Sequence, residues 1–189
     1  MHRVLILDTS ILCVHLQVPG KETCGAADEP WDYERVREQL EVERGLNATL
    51  VLPLAAIIET GNHIAQAAAQ RYETAQRLAE IIRATINMES PWAAFDQQRI
   101  LWEPEQLREL ADQLPEMCSR GVGMGDMSIK QVADYYAALA CDVEILTGDR
   151  GLRAYAAEPP RQMLVPRRRS GPHAPLPEKP PVPRRKRRE

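Results

Sequence analysis

Four carboxylates stand where the sequence pattern passes from strand-like to helical. They are Asp8 in VLILDTSIL, Glu59 in LVLPLAAIIETGNHI, Asp126 in GVGMGDMSIKQVADYYAA and Asp149 in VEILTGDRGLRAY. If the strands run parallel, all four come to one rim, outside the carboxyl ends where open α/β sheets bind their ligands. Carboxylates gathered at such a rim repel one another and call for a counter-charge. A divalent cation held by oxygen ligands, Mg²⁺ or Mn²⁺, is the usual one, and its chemistry is the hydrolysis of phosphodiesters.

Taken singly, each acid also has an ordinary role. Asp126 and Asp149 precede helical patterns and fit helix caps. Asp8 fits the start of a turn with Thr9 and Ser10. Glu59 is harder to explain away: it follows Ile57 and Ile58 on an otherwise apolar helix, where an unpaired buried carboxylate is costly. Ser10 could hold Asp8 by a hydrogen bond, and Thr147 could do the same for Asp149; a plain turn hydrogen bond is the alternative for each. Lys130, Arg150 and Arg153 lie near the acids in sequence and could meet phosphates, or could be solvated surface charges. His63 lies one turn past Glu59 but lacks a partner spacing such as HExxH. The glycines at 121, 123 and 125 precede a helix but follow no strand and lack GKS/T, so a turn explains them better than a phosphate loop. Cys13 has no evident base and reads as core.

The elements that must position these residues are legible in outline. Residues 4–7 are a continuous apolar run, as in a strand buried on both faces, and residues 49–53 and 143–147 share that character. Residues 31–44 read as a helix with Val36 and Leu40 one turn apart and Pro30 in its first turn. Residues 54–86 predict two helices or one bent one. Residues 103–114 place Leu107, Leu110, Ala111 and Leu114 on one helical face, which Pro115 should disrupt. Residues 126–140 repeat the pattern through Ile129, Val132, Ala133 and Tyr136. A helix from Arg150 to about Ala157 and a short strand at 163–165 would close the domain. Residues 18–29, rich in glycine and polar side chains, read as a surface loop. Strands alternating with helices in this order predict an α/β domain over residues 1–165, a three-layer α/β/α sandwich around a mainly parallel sheet.

The 189 residues carry a net charge of −3 that hides a division. Residues 166–189 hold nine Lys/Arg against two Glu, a net +7, which leaves −10 on residues 1–165. With seven prolines and few apolar side chains, this tail should be disordered or extended. Its arginines, beginning with Arg167, Arg168 and Arg169, are either a solvated charge run or a contact for RNA or a protein partner. The four cysteines form no CxxC pair and read as reduced thiols in a cytoplasmic protein. Asp8 cuts the N-terminal apolar run too short for a signal core, and the longest apolar stretch, residues 50–58, is far short of a bilayer span. A soluble protein with no membrane partner is the expectation.

Taken together, the motifs resemble those of PIN-domain nucleases over nearly all of residues 1–165. LILDTSIL is similar to that family's first strand and its Asp, and IIETGNHI to its helical Glu. GDMSIKQVADYYAALA followed by EILTGDRGLRAY is similar to its paired final acids, with Thr147-Gly148-Asp149 as the Thr-x-Asp signature. The 18–29 segment and Asn62-His63 are not general family features and suggest a subfamily outside the compact toxin type. The resemblance implies that Asp8, Glu59, Asp126 and Asp149 hold one or two Mg²⁺ or Mn²⁺ ions. It also implies an RNA substrate cut to leave a 5′-phosphate and a 3′-hydroxyl, and a homodimer. Either a toxin with a separate antitoxin or other regulatory protein, or an RNA-processing nuclease, would fit. The rival is a non-catalytic RNA- or protein-binding module that keeps the fold. A phosphatase of the haloacid dehalogenase type would want Asp-x-Asp after the first strand, but Asp8 is followed by Thr9-Ser10. A receiver domain would want an early acidic pair and a late Lys, and neither is evident.

Overall fold

The first apolar run forms strand β1 (Arg3–Leu7), in which every side chain from Val4 to Leu7 is buried. The computed structural model describes residues 1–93 and 95–154; the strand expected at 163–165 and the whole tail, with Arg167, Arg168 and Arg169, lie outside them. After β1 come helix α1 (Thr9–His15), strands β2 (Cys24–Ala26) and β3 (Glu29–Trp31), and helix α2 (Tyr33–Gly45). Strand β4 (Thr49–Val51) leads into helices α3 (Leu54–Gln66) and α4 (Arg71–Ile86), so residues 54–86 form two helices. A 3₁₀ helix (Phe95–Trp102), helices α5 (Pro104–Ser119) and α6 (Met124–Ala138), strand β5 (Asp142–Leu146) and helix α7 (Arg150–Ala154) complete the described chain.

Strand order is β4-β1-β5, and both pairings are parallel. The register sets Ile6 beside Val51 and Ile145, and the ladder runs one step past β1 because the Asp8 amide donates to the Leu146 carbonyl at 3.1 Å. Alternate residues of β1 feed two cores, as the period of a strand requires. Leu5 and Leu7 join Leu12, Val36, Leu50, Ile64 and Leu78 on one side. Val4 and Ile6 join Val51, Ile129, Ala133 and Tyr136 on the other. The fold is therefore α/β, with a small parallel sheet and helices packed into both cores.

Four expectations are corrected. Residues 18–29 are not a plain loop, because β2 and β3 pair antiparallel as a hairpin, Cys24 opposite Trp31 and Ala26 opposite Glu29. Trp31 anchors it: the indole is buried in the first core, and the Arg35 guanidinium lies 4.1 Å from its ring centroid. Pro30 accordingly sits in β3, and α2 begins after Asp32, whose carboxylate accepts from the Arg35 amide at 2.9 Å. Pro115 does not end its helix, since α5 runs on to Ser119. Ala111, whose carbonyl loses its amide partner, is exposed, so water can take that hydrogen bond. Finally, Asp126 does not follow a strand: α5 precedes α6 through a short turn in which Gly121 adopts φ +82°.

Candidate carboxylate site

Parallel pairing puts the carboxyl ends of β1, β4 and β5 on one edge, and each acid reaches that edge by a different route. Asp8 directly follows β1 and is the N-cap of α1. Glu59 projects from α3, which begins just after β4. Asp149 follows β5 and caps α7, its Oδ1 accepting from the amides of Gly151 at 2.6 Å and Leu152 at 3.3 Å. Asp126 lies within the first turn of α6, whose N-cap is Gly123. All four line a single cavity of about 310 Å³.

Asp8 is the most firmly held, at 6% exposure. Its Oδ1 accepts from the Thr9 amide at 2.6 Å, and its Oδ2 accepts from the Ser10 hydroxyl at 2.6 Å and the Thr147 hydroxyl at 2.8 Å. Three hydroxyls tie the acids together. The Thr9 hydroxyl donates to Glu59 Oε2 at 2.8 Å. Ser10 Oγ also accepts from the Gly148 amide at 3.0 Å, which fastens α1 to the turn after β5. Thr147 Oγ1 accepts from the Asp149 amide at 2.9 Å, so its hydroxyl proton serves Asp8, not the Asp149 carboxylate expected from sequence. Glu59 lies against α6, where a side chain on Gly125 would collide with Glu59 Oε1.

The electrostatics bear out the crowding. Burial first, then the charge of Asp8, and further Asp149 and Glu59, push the Asp126 carboxyl above its ordinary value, against a hydrogen bond with the Gly123 backbone. No Lys, Arg or His is ion-paired with any of the four acids among the described residues. The fold does pair its other buried acid: Glu43, at 3% exposure, receives two hydrogen bonds from Arg3 at 3.0 and 3.1 Å. An all-oxygen donor set with no ion-paired side chain among the described residues suits a hard divalent cation. The four are not closed around a point, since no three His, Cys, Asp or Glu side chains among the described residues form a ready metal cluster.

Lys130, Arg150 and Arg153, read as phosphate contacts or surface charges, each have an acidic partner. Lys130 pairs with Asp134 and lines a different cavity, between α5 and α6. Arg150 pairs with Asp28 at 2.7 Å. Arg153 donates to the Thr147 carbonyl at 3.1 Å and lies 3.7 Å from Glu29. Both arginines thus tie the hairpin and the β5–α7 turn together. His63 and Cys13 do line the acidic cavity. Burial pushes the Cys13 thiol up to about 11, which makes it a poor nucleophile.

Sequence reasoning missed Thr9, Lys21, Thr23 and Cys24, all of which line the cavity. Thr9 carried a weak signal, a hydroxyl beside a capping Asp. Cys24 comes in on the hairpin, and Lys21 and Thr23 in the segment leading to it after the turn at Gly20, and nothing local to them signals the cavity. Compared with protein-family models, with curated proteins and with solved structures, the chain shows no match.

Proposed function

We propose that the chain is a metal-dependent ribonuclease of the PIN-like kind, with a three-layer α/β/α domain and its site at the acidic cavity. One observation carries the reading: Asp8, Glu59, Asp126 and Asp149, from four separate elements, line one cavity at the carboxyl rim of a parallel sheet, with no side-chain cation among the described residues paired to them. These four residues would hold Mg²⁺ or Mn²⁺. Such an ion supplies Lewis acidity, making water acidic enough to attack near neutral pH and offsetting charge on the phosphate.

The chain's own contribution is orientation. The hydroxyls of Ser10 and Thr147 and the Thr9 amide hold the Asp8 carboxylate in one rotamer, and the Thr9 hydroxyl turns Glu59 toward the same cavity. Carboxylates fixed in this way lose little freedom when they engage a ligand, which is the advantage of a preorganised site. The hairpin closes one side through Thr23 and Cys24 and limits access of water and substrate from that direction.

A non-catalytic RNA- or protein-binding module is the second reading. It is favoured by the lack of a closed three-donor cluster among the described residues and by the number of protein donors already on Asp8 Oδ2. Incubating a mixed RNA pool with the purified protein in Mg²⁺, Mn²⁺ or EDTA, beside Asp126→Asn, separates the two. Cutting that needs metal and is abolished in the variant is the expected result. RNA that stays intact in every metal while still being bound would favour the second reading.

A further inference from the structure

We infer that Lys21 is the cation of this site that meets the substrate's phosphate, a role that rests on the ribonuclease reading for its catalytic consequence though not for its binding one. Lys21 is exposed and lines the cavity that holds the four carboxylates. Its backbone is fixed by a turn in which Gly20 adopts φ +83° and the Lys21 amide donates to the Val18 carbonyl at 2.9 Å. A glycine is needed there because other residues resist that conformation. Lys21 makes no side-chain ion pair among the described residues. The nearby cations are committed elsewhere: Arg150 to Asp28, Arg153 to Glu29 and the Thr147 carbonyl, and Lys130 to Asp134. A phosphodiester approaching an acidic cavity needs a positive charge at its edge, and Lys21 is free to provide one. An ammonium on a flexible stem suits this task, since it follows a phosphate oxygen as a point charge without demanding a fixed fork geometry. Lys21 is thus a positioning residue that orders the RNA backbone before cleavage.

The test uses the full chain and a fluorescein-labelled single-stranded RNA oligonucleotide, with wild type, Lys21→Gln, Lys21→Arg and an Arg37→Gln control. Arg37 lies on α2, paired with Glu34 and Glu41, and lines none of the cavity. In EDTA, Lys21→Gln should raise Kd by roughly 5-fold and lower the log–log salt slope by about 0.7, as one fewer neutralised phosphate predicts for a single strand. Lys21→Arg should restore most of the affinity, and Arg37→Gln should leave both near wild type. In Mg²⁺ the change should fall on KM with kcat nearly constant. Unchanged Kd and KM in Lys21→Gln, beside a metal-dependent wild type, overturns the Lys21 assignment and leaves the nuclease reading standing. A Lys21-dependent Kd without cleavage in any metal upholds the contact and sinks the nuclease. A wild type that binds no RNA overturns both. A fall in the metal-free melting temperature of Lys21→Gln with RNA affinity intact would make Lys21 a counter-charge for the acids, and also overturns the inference.

Discussion

At Asp126 two effects oppose each other. The N-terminal turn of α6 favours a carboxylate, while burial and the charges of Asp8, Asp149 and Glu59 disfavour it, and the second group prevails. A folded-state value above the ordinary 3.8 makes the protonated form the better tolerated one. The associated stability is fully present below the unfolded value and is lost as pH rises through the folded value. Without metal, Asp126→Asn should therefore raise Tm by roughly 2 °C at pH 7, allowing for solvent screening at a half-exposed group. The gap should close as pH falls below about 4. Thermal melts in EDTA at several pH values check this, and a constant gap would contradict it. Gly125 tests the other side of the same contact. Gly125→Ala adds helix propensity worth about 1 kcal/mol, while its methyl group must push Glu59 aside. Tm should hold or rise while metal-dependent cleavage falls by roughly 10- to 100-fold, the usual effect of disturbing a ligand's surroundings. A drop in both would mean the helix, not Glu59, yields.

Among the elements, the β2–β3 hairpin is the one that shapes the site without belonging to the sheet. Gly148 is where it packs. A Cβ there would lie 2.7 Å from Cys24 Sγ and 2.7 Å from the Gly25 amide nitrogen, and the second of these is backbone that cannot swing away. Gly148→Ala should cost about 1–3 kcal/mol by urea unfolding, as overpacking does, and should weaken cleavage because Thr147 and Asp149 flank it. A neutral result would show that the hairpin moves freely and does not wall the cavity. The central strands were legible because residues buried on both faces must be apolar throughout. The hairpin was not, because three-residue strands containing Gly25 and Pro30 share the composition of a turn. Their pairing depends on Trp31 reaching the core and on the space left at Gly148. Pro115 misled for a related reason: its cost depends on whether water reaches the orphaned carbonyl, which is a matter of exposure.

For the whole molecule, charge is divided between acidic residues 1–165 and basic residues 166–189. Deleting residues 166–189 removes nine Lys/Arg. RNA affinity should fall and its salt dependence flatten, by a slope of roughly 0.7 for each phosphate no longer neutralised, with Tm unchanged. Filter-binding titrations at several salt concentrations and a thermal melt check both parts; a marked fall in Tm would mean the tail packs on the domain. Within the domain the charges are also sorted. Arg3 gathers Glu43, Asp142 and Glu144 at the amino end of the sheet, and the four acids of the cavity sit at the opposite end. No helix among the described residues is long and apolar enough to cross a membrane, and all four cysteines are free.

The sequence by itself determined which residues become strand and helix in the centre of the fold, since burial writes its period into the side chains. It also determined that four acids follow or flank those elements. The alternation of strand and helix predicted parallel pairing, but only the tertiary structure decided that the four share one cavity, because that depends on the β4-β1-β5 order and on where α3 and α6 pack, which no local pattern encodes. Partner choice was likewise decided there. Thr147 serves Asp8, Thr9 serves Glu59, and Arg150 and Arg153 turn to the hairpin, because a hydrogen bond or ion pair goes to whichever group folding brings within reach. Lys21 stands at the acidic cavity for the same reason: the turn at Gly20 directs it there, and adjacency in the chain does not.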